Sequence, residues 1–239
     1  MNNAPCRPAL AWLIALAVLL AAGCAGQPQV QLKQDFWADK QQRVGVLVLD
    51  PRADAAGVRT TGEQGLIFYA ISNAQMGSLN AHLEKQQPVE LKAMADRVAL
   101  RLKERGITAV SIEKKITATE LIERPGGYRE GFAKYDFTAL GAQYKVDKLL
   151  ILSPEFTGSE RGYYVFMPTG DPRGNFRSVG QLVEIPSHKL LWYRPIDTLR
   201  TVKEPWDQPP DFPNVTAAMR EAVNAGIRVL EADLFWTAR

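Results

Sequence analysis

An uncharged apolar run from Ala9 to Ala22 leads into Gly23-Cys24, and beyond Cys24 the chain contains no further cysteine. The one other cysteine, Cys6, lies in the leader itself. Whatever folds after Cys24 must therefore do so without a disulfide and without a thiol nucleophile, so its stability has to come from an ordinary apolar core. At 239 residues and 46% hydrophobic content the chain is large enough to build one, and a single domain is expected. The leader has the layout of a secretory signal. Arg7 supplies a positive end, and the apolar run is too short for a membrane span, which needs roughly 20 residues. Without Arg7 the formal charge falls from +3 to +2, which gives no pull toward nucleic acid.

The leader closes as Ala21-Ala22-Gly23-Cys24, where an ordinary signal closes on an A-x-A-like site. This ending resembles the lipobox of bacterial lipoproteins, with Ala21 standing where Leu is usual and Leu20 one step back. The resemblance implies cleavage between Gly23 and Cys24, acylation of Cys24, and, with Ala25 rather than Asp following, residence at the periplasmic face of the outer membrane. The alternative is a plain signal peptide or uncleaved anchor in which Cys24 is incidental. Residues 1–23 are thus expected to be a leader, 24–34 a lipidated tether, and 35–239 one globular domain. Ala25 to Leu32, polar and uncharged, reads as the spacer.

Val44 to Leu49 is a continuous apolar run bounded by Asp50-Pro51 and reads as a strand buried on both faces. Pro51 to Gly65 reads as a long loop. The apolar spacing from Leu66 to Leu83 favours a helix. A second helix is expected from Pro88 in its first turn, along Leu91, Met94, Ala95, Val98 and Leu102, to the stop at Gly106. Strands at 107–112 and 148–152 flank a helical turn at 117–123 and a short helix capped by Asp136. Then the pattern changes to consecutive strands at 163–167, 178–185 and 190–193, followed by a proline-rich loop and a last helix with Asn214 as its cap. The expected architecture is an α/β (α+β) sandwich with a mixed sheet of about five to six strands. Its first half is βαβαβ-like, and its second half is an antiparallel meander plus a C-terminal helix.

This order of elements resembles the periplasmic α/β domains of the TolB amino-terminal domain, the curli secretion lipoprotein and the lipoprotein activators of penicillin-binding proteins. Four segments are also similar to ones in uncharacterised gammaproteobacterial lipoproteins: FWADKQQRVGV, YKVDKLLIL, PTGDPRG, and Trp206-Asp207-Gln208-Pro209-Pro210-Asp211-Phe212-Pro213. The resemblance implies scaffolds, channels or regulators rather than catalysts.

Among chemistry-bearing residues, His82 and His188 have no partner at metal-ligand spacing, and no serine-hydrolase or zinc-protease motif is present. No cofactor is expected. The turn containing Arg173 offers an anion cradle, with hairpin geometry as its simpler reading. Asp50 and Glu155 follow strand ends, where open α/β sheets place ligands. Tyr164, Phe166 and Trp206 belong to an aromatic set larger than one core face requires, so they are candidates for a partner surface. The functional expectation is a non-catalytic accessory factor for an envelope protein complex, anchored to the membrane through lipid and compatible with homo-oligomers. A small-ligand-binding lipoprotein is the alternative, and a carboxylate-dependent glycan enzyme is less favoured.

Overall fold

The computed structural model describes residues 26–62, 65–86 and 89–236. Gly23, Cys24 and Pro88, each given a role above, lie outside them. The strands are β1 (Arg43–Val48), β2 (Ala56–Thr61), β3 (Thr108–Ile112), β4 (Lys148–Tyr164), β5 (Met167–Pro168), β6 (Arg173–Glu184) and β7 (Lys189–Thr201). The helices are α1 (Asp35–Ala38), α2 (Leu66–Gln75), α3 (Gly77–Leu83), α4 (Glu90–Glu104), α5 (Thr138–Tyr144) and α6 (Pro213–Trp236). Among the described residues no helix is long and apolar enough to cross a membrane.

The strands form one seven-stranded mixed sheet of order β3-β1-β4-β6-β7, with β2 and β5 also paired to β4. β1 runs parallel to β3 and β4, whereas β4, β6 and β7 form an antiparallel meander. The mixed α/β architecture is as the sequence pattern implies, and the strands are longer than expected. β4 does not stop at Leu152 but runs on to Tyr164, through a register shift between Pro154 and Phe156. Its extension carries β2 in parallel, so the stretch from Pro51 to Gly65 is not all loop.

One face of the sheet, with Val44, Val46, Leu150, Leu152, Phe176, Leu182 and Trp192, is covered by α4 and α6. Both helices present their small and branched apolar residues at helical spacing, α4 through Met94, Val98 and Leu102, and α6 through Ala222, Val223, Ile227 and Leu230. Contact is close. A Cβ on Gly174 would stand 2.3 Å from the backbone of Ala218, so α6 can lie this near β6 only because that position is glycine. The opposite face, with Leu47, Leu149, Ile151, Val183 and Leu190, is covered by Phe137 and Leu140 at α5 and by the irregular segment 113–137.

Three local expectations need correction. Residues 24–34 are not a free tether throughout, because Val30 exchanges backbone hydrogen bonds of 3.1 and 2.9 Å with Tyr193 and Leu32 is buried. The edge of β7 offers unpaired backbone groups, and this segment takes them. Asp136 does not cap α5 at the position next to it; its Oδ1 accepts from the Thr138 amide at 2.8 Å, with Phe137 between. Asn214 lies within the first turn of α6, where its Nδ2 donates to the Pro205 carbonyl at 2.9 Å and secures the proline-rich loop.

Candidate functional site

Where β1 ends, Leu49 still donates to the Leu152 carbonyl at 2.9 Å, but the Asp50 amide turns to the Ile116 carbonyl at 2.8 Å. That switch pulls the segment after β3 across the sheet end. On β4, Pro154 has no amide hydrogen to give to the ladder, and the register shifts across Glu155. A bulge of this kind re-aims a side chain, here a carboxylate, away from strict alternation.

The segment 113–137 forms the roof. Its Arg124-Pro125-Gly126-Gly127 turn is tied by the Arg124 guanidinium, which donates to the carbonyls of Pro125, Gly127 and Ala133 at 3.0, 2.7 and 3.3 Å. Further along, Ala133 donates to the His188 carbonyl and Leu190 donates to the Gly131 carbonyl, which binds the roof to the β6–β7 turn. The Gln27 side chain accepts from the Gly131 amide at 3.1 Å. Between roof and sheet lies a cleft of about 680 Å³ whose walls include both Asp50 and Glu155. This is within the size range of small-molecule sites, roughly 300–1,000 Å³.

The two strand-end carboxylates are thus brought to one cavity. Neither side chain makes a hydrogen bond or ion pair with another described residue. The other charges lining the cleft are largely matched, Arg52 with Asp54 at 3.0 Å and Lys134 with Glu123 at 3.1 Å, while Arg129 stacks over Phe132 at 4.1 Å. The Glu123 hydrogen bond raises the Lys134 pKa and so keeps that amine charged. On the floor, burial, then the negative charge of Glu155, then Tyr128, push the Tyr193 phenol above its usual pKa. Asp50 also borders a second cleft of about 440 Å³ that includes Lys92, Lys114 and Lys115.

Gln181 is the site residue that sequence reasoning missed. It projects from β6 between Val179 and Val183 onto the cleft face, paired in register with Ile151 and Tyr193. It is 9% exposed, and its amide has no hydrogen-bond partner among the described residues. Its amide therefore faces the cleft rather than the core. Its signal in the sequence is a lone amide in the alternate row Val179, Gln181, Val183, Ile185.

The remaining candidates lie elsewhere. Arg173 is engaged with Glu160 at 3.1 Å. In its turn the Gly170 carbonyl accepts from Arg161 at 3.0 Å, and Asp171 beside Glu204 raises the Glu204 pKa, so the turn carries negative groups. Trp206 sits under the Arg161 guanidinium at 4.6 Å and packs on the satellite core around Phe212 and Val215. Tyr164 and Phe166 are at the far end of β4, exposed by 57% and 50%, with Phe166 against Phe68 of α2 at 5.6 Å between ring centres. His82 meets Thr216 at 2.9 Å, and His188 faces Asp136 at 3.8 Å. Among the described residues no group of three or more His, Cys, Asp or Glu side chains is placed to hold a metal ion.

No family model and no curated protein matches the chain. Solved structures similar to it include protein XCC0632 of Xanthomonas campestris, of family DUF330, at 12% identity and TM-score 0.42, covering 82% of this chain and 85% of that one. Another is lipoprotein GNA1162 of Neisseria meningitidis, at 11% identity and TM-score 0.34, covering 79% and 98%. A third is the PelC dodecamer of Paraburkholderia phytofirmans, at 11% identity and TM-score 0.29, covering 83% and 96%. With likenesses this distant, function has to be argued from the residues of this chain.

Proposed function

We propose that the chain is an envelope lipoprotein, held by acyl chains on Cys24 at the periplasmic face of the outer membrane, and that it acts by binding, as a non-catalytic accessory factor for an envelope protein complex. The observation that carries this reading is the apolar face at the far end of β4. Leu66 and Ile67 are 89% and 74% exposed, and Phe68, Tyr164, Phe166 and Met167 are exposed beside them. A group of large apolar side chains left uncovered on a folded domain marks an interaction site, and aromatic residues and methionine are the types enriched in protein interfaces.

The position of this face supports a protein occupant. The N-terminal segment is fixed at Tyr193, whose register partner on β4, through Gln181, is Ile151. From there to Tyr164 the strand covers roughly 40 Å at about 3.3 Å per residue. A domain anchored through that segment holds the apolar face away from the lipid in which it is anchored. Confinement to one leaflet raises its effective concentration toward membrane-bound partners.

A photoreactive residue placed at Phe166 in intact cells tests this, with the same residue at exposed Leu100 on α4 as control. Adducts with an envelope protein should form at 166, should be absent at 100, and should fall in Cys24→Ala. Adducts joining two copies of this chain would make the face a homo-oligomer interface instead, and equal labelling at both positions would end the proposal.

A further inference from the structure

The roofed cleft has the composition of a site for a cation. Among the described residues its only uncommitted acidic groups are Asp50 and Glu155, because Asp54 and Glu123 are already paired within the cleft. Three tyrosines, Tyr128, Tyr135 and Tyr193, stand in its walls, and an aromatic face attracts ammonium groups through its quadrupole; Tyr135 already lies against the Lys134 amine, which leaves Tyr128 and Tyr193. Gln181 adds a buried amide whose oxygen accepts hydrogen bonds and has no partner among the described residues. One uncompensated cation, Arg129, also borders the cleft, stacked on Phe132. An inorganic metal ion fits this set poorly, since hard cations take six or more oxygen ligands. An ammonium group carrying carbon substituents fits it well, because it meets carboxylate, aromatic face and amide oxygen together and fills more of a cleft of about 680 Å³.

We propose that this cleft binds an organic ammonium ligand, with Asp50 and Glu155 supplying the opposing charge, Tyr128 and Tyr193 the aromatic walls, and Gln181 the hydrogen-bond acceptor. The ammonium group has two sources, a free small molecule or the headgroup of a lipid. Gln27 lines the cleft, and three residue steps separate it from Cys24. At about 3.6 Å per extended residue the cleft then lies within roughly 11 Å of the acylated position. That proximity rests on the anchoring reading; the charge and shape of the cleft do not.

Titration calorimetry on the full chain in detergent tests the proposal, using choline and ethanolamine beside 3,3-dimethylbutanol, the uncharged analogue of choline. At least one cation should bind with at least tenfold preference over the uncharged analogue. Binding should weaken at least tenfold in the Asp50→Asn/Glu155→Gln double variant and also in Gln181→Leu, with circular dichroism and melting unchanged in kind. Should the double variant fail to fold, Gln181→Leu and Tyr128→Ala serve in its place. Equal affinity for the uncharged analogue, undiminished binding in the folded variants, or no binding of either cation overturns the proposal. Flotation of the Cys24→Ala chain with phosphatidylethanolamine vesicles against phosphatidylglycerol vesicles separates the sources. Cleft-dependent capture by the former assigns the headgroup, and its absence alongside choline or ethanolamine binding assigns the free molecule. Failure of acylation at Cys24 is read separately from the mass of the mature chain, so it leaves the calorimetric result intact.

Discussion

The two faces of the central sheet are covered by different kinds of structure, and the larger cleft lies under the turn-rich one. α4 and α6 lie along the first face and bring whole apolar rows onto it, with Trp192 fully buried and donating to Asp233 at 2.7 Å. The second face is covered by short α5 and by a turn-rich segment that secures its own carbonyls through Arg124. A helix satisfies its backbone internally and can settle into the grooves of a neighbour. A turn-rich cover needs side chains and neighbouring strands to satisfy its backbone, so it stands off the sheet and leaves a cleft. Adjacent residues of one strand show the contrast, since Trp192 points into a closed core and Tyr193 into the cleft.

The largest effect that sharpens this contrast is expected at that pair. Trp192→Ala should cost about 3–5 kcal/mol of unfolding free energy, the usual range for a buried large aromatic, and it also leaves the Asp233 carboxylate without its donor. Tyr193→Ala should cost clearly less, because one side of the ring already faces open space. Urea unfolding of both variants measures the difference, and equal losses would mean that the two faces are equally well packed. A smaller loss is expected for Gly174→Ala. Its new methyl would meet the Ala218 backbone and force α6 away from β6, at a cost of about 1–3 kcal/mol in the same assay. Smaller again, and opposite in sign, is Gln181→Leu. Removing an unpartnered amide in favour of a side chain of similar size should leave stability unchanged or raise it by about 1 kcal/mol. A loss there would show that the amide is committed inside the protein.

The same contrast explains what was legible in the sequence. Helix α4 and the strand from Val44 announced themselves through periodicity, because continuous burial against regular neighbours imposes it. Asp50 and Glu155 stand out as candidates by their place after apolar runs. β2 was not found, because Ala56 to Thr61 has little apolar alternation and pairs only with the β4 extension past Pro154, a residue that reads as a strand end. The helical spacing of α2 is legible, yet its apolar residues lie outside the core, and periodicity cannot say what covers a face. Gln181 is not legible as a site residue, because one amide in an apolar row carries meaning only once the roof above it is known.

The finest prediction asks whether Glu155 and Tyr193 share the cleft electrostatically. Burial and the Glu155 carboxylate both disfavour the Tyr193 phenolate, so its pKa in the fold is raised. The unfolded chain then releases this proton at the ordinary phenol range while the fold retains it. Tyr193 therefore favours the fold fully below that range, and its contribution declines as pH rises through it toward the raised folded value. Glu155→Gln removes the second cause and leaves the first. Ultraviolet titration, with Tyr193→Phe identifying the relevant transition, should show the phenol ionising at lower pH in Glu155→Gln, yet still above the ordinary range. An unmoved transition would separate the bulge carboxylate from the cleft floor and leave Asp50 as the only uncommitted negative charge beside Gln181 among the described residues. A transition that fell fully to the ordinary phenol value would instead make charge, not burial, the dominant cause, and the cleft more open to water than its 680 Å³ of roofed space implies.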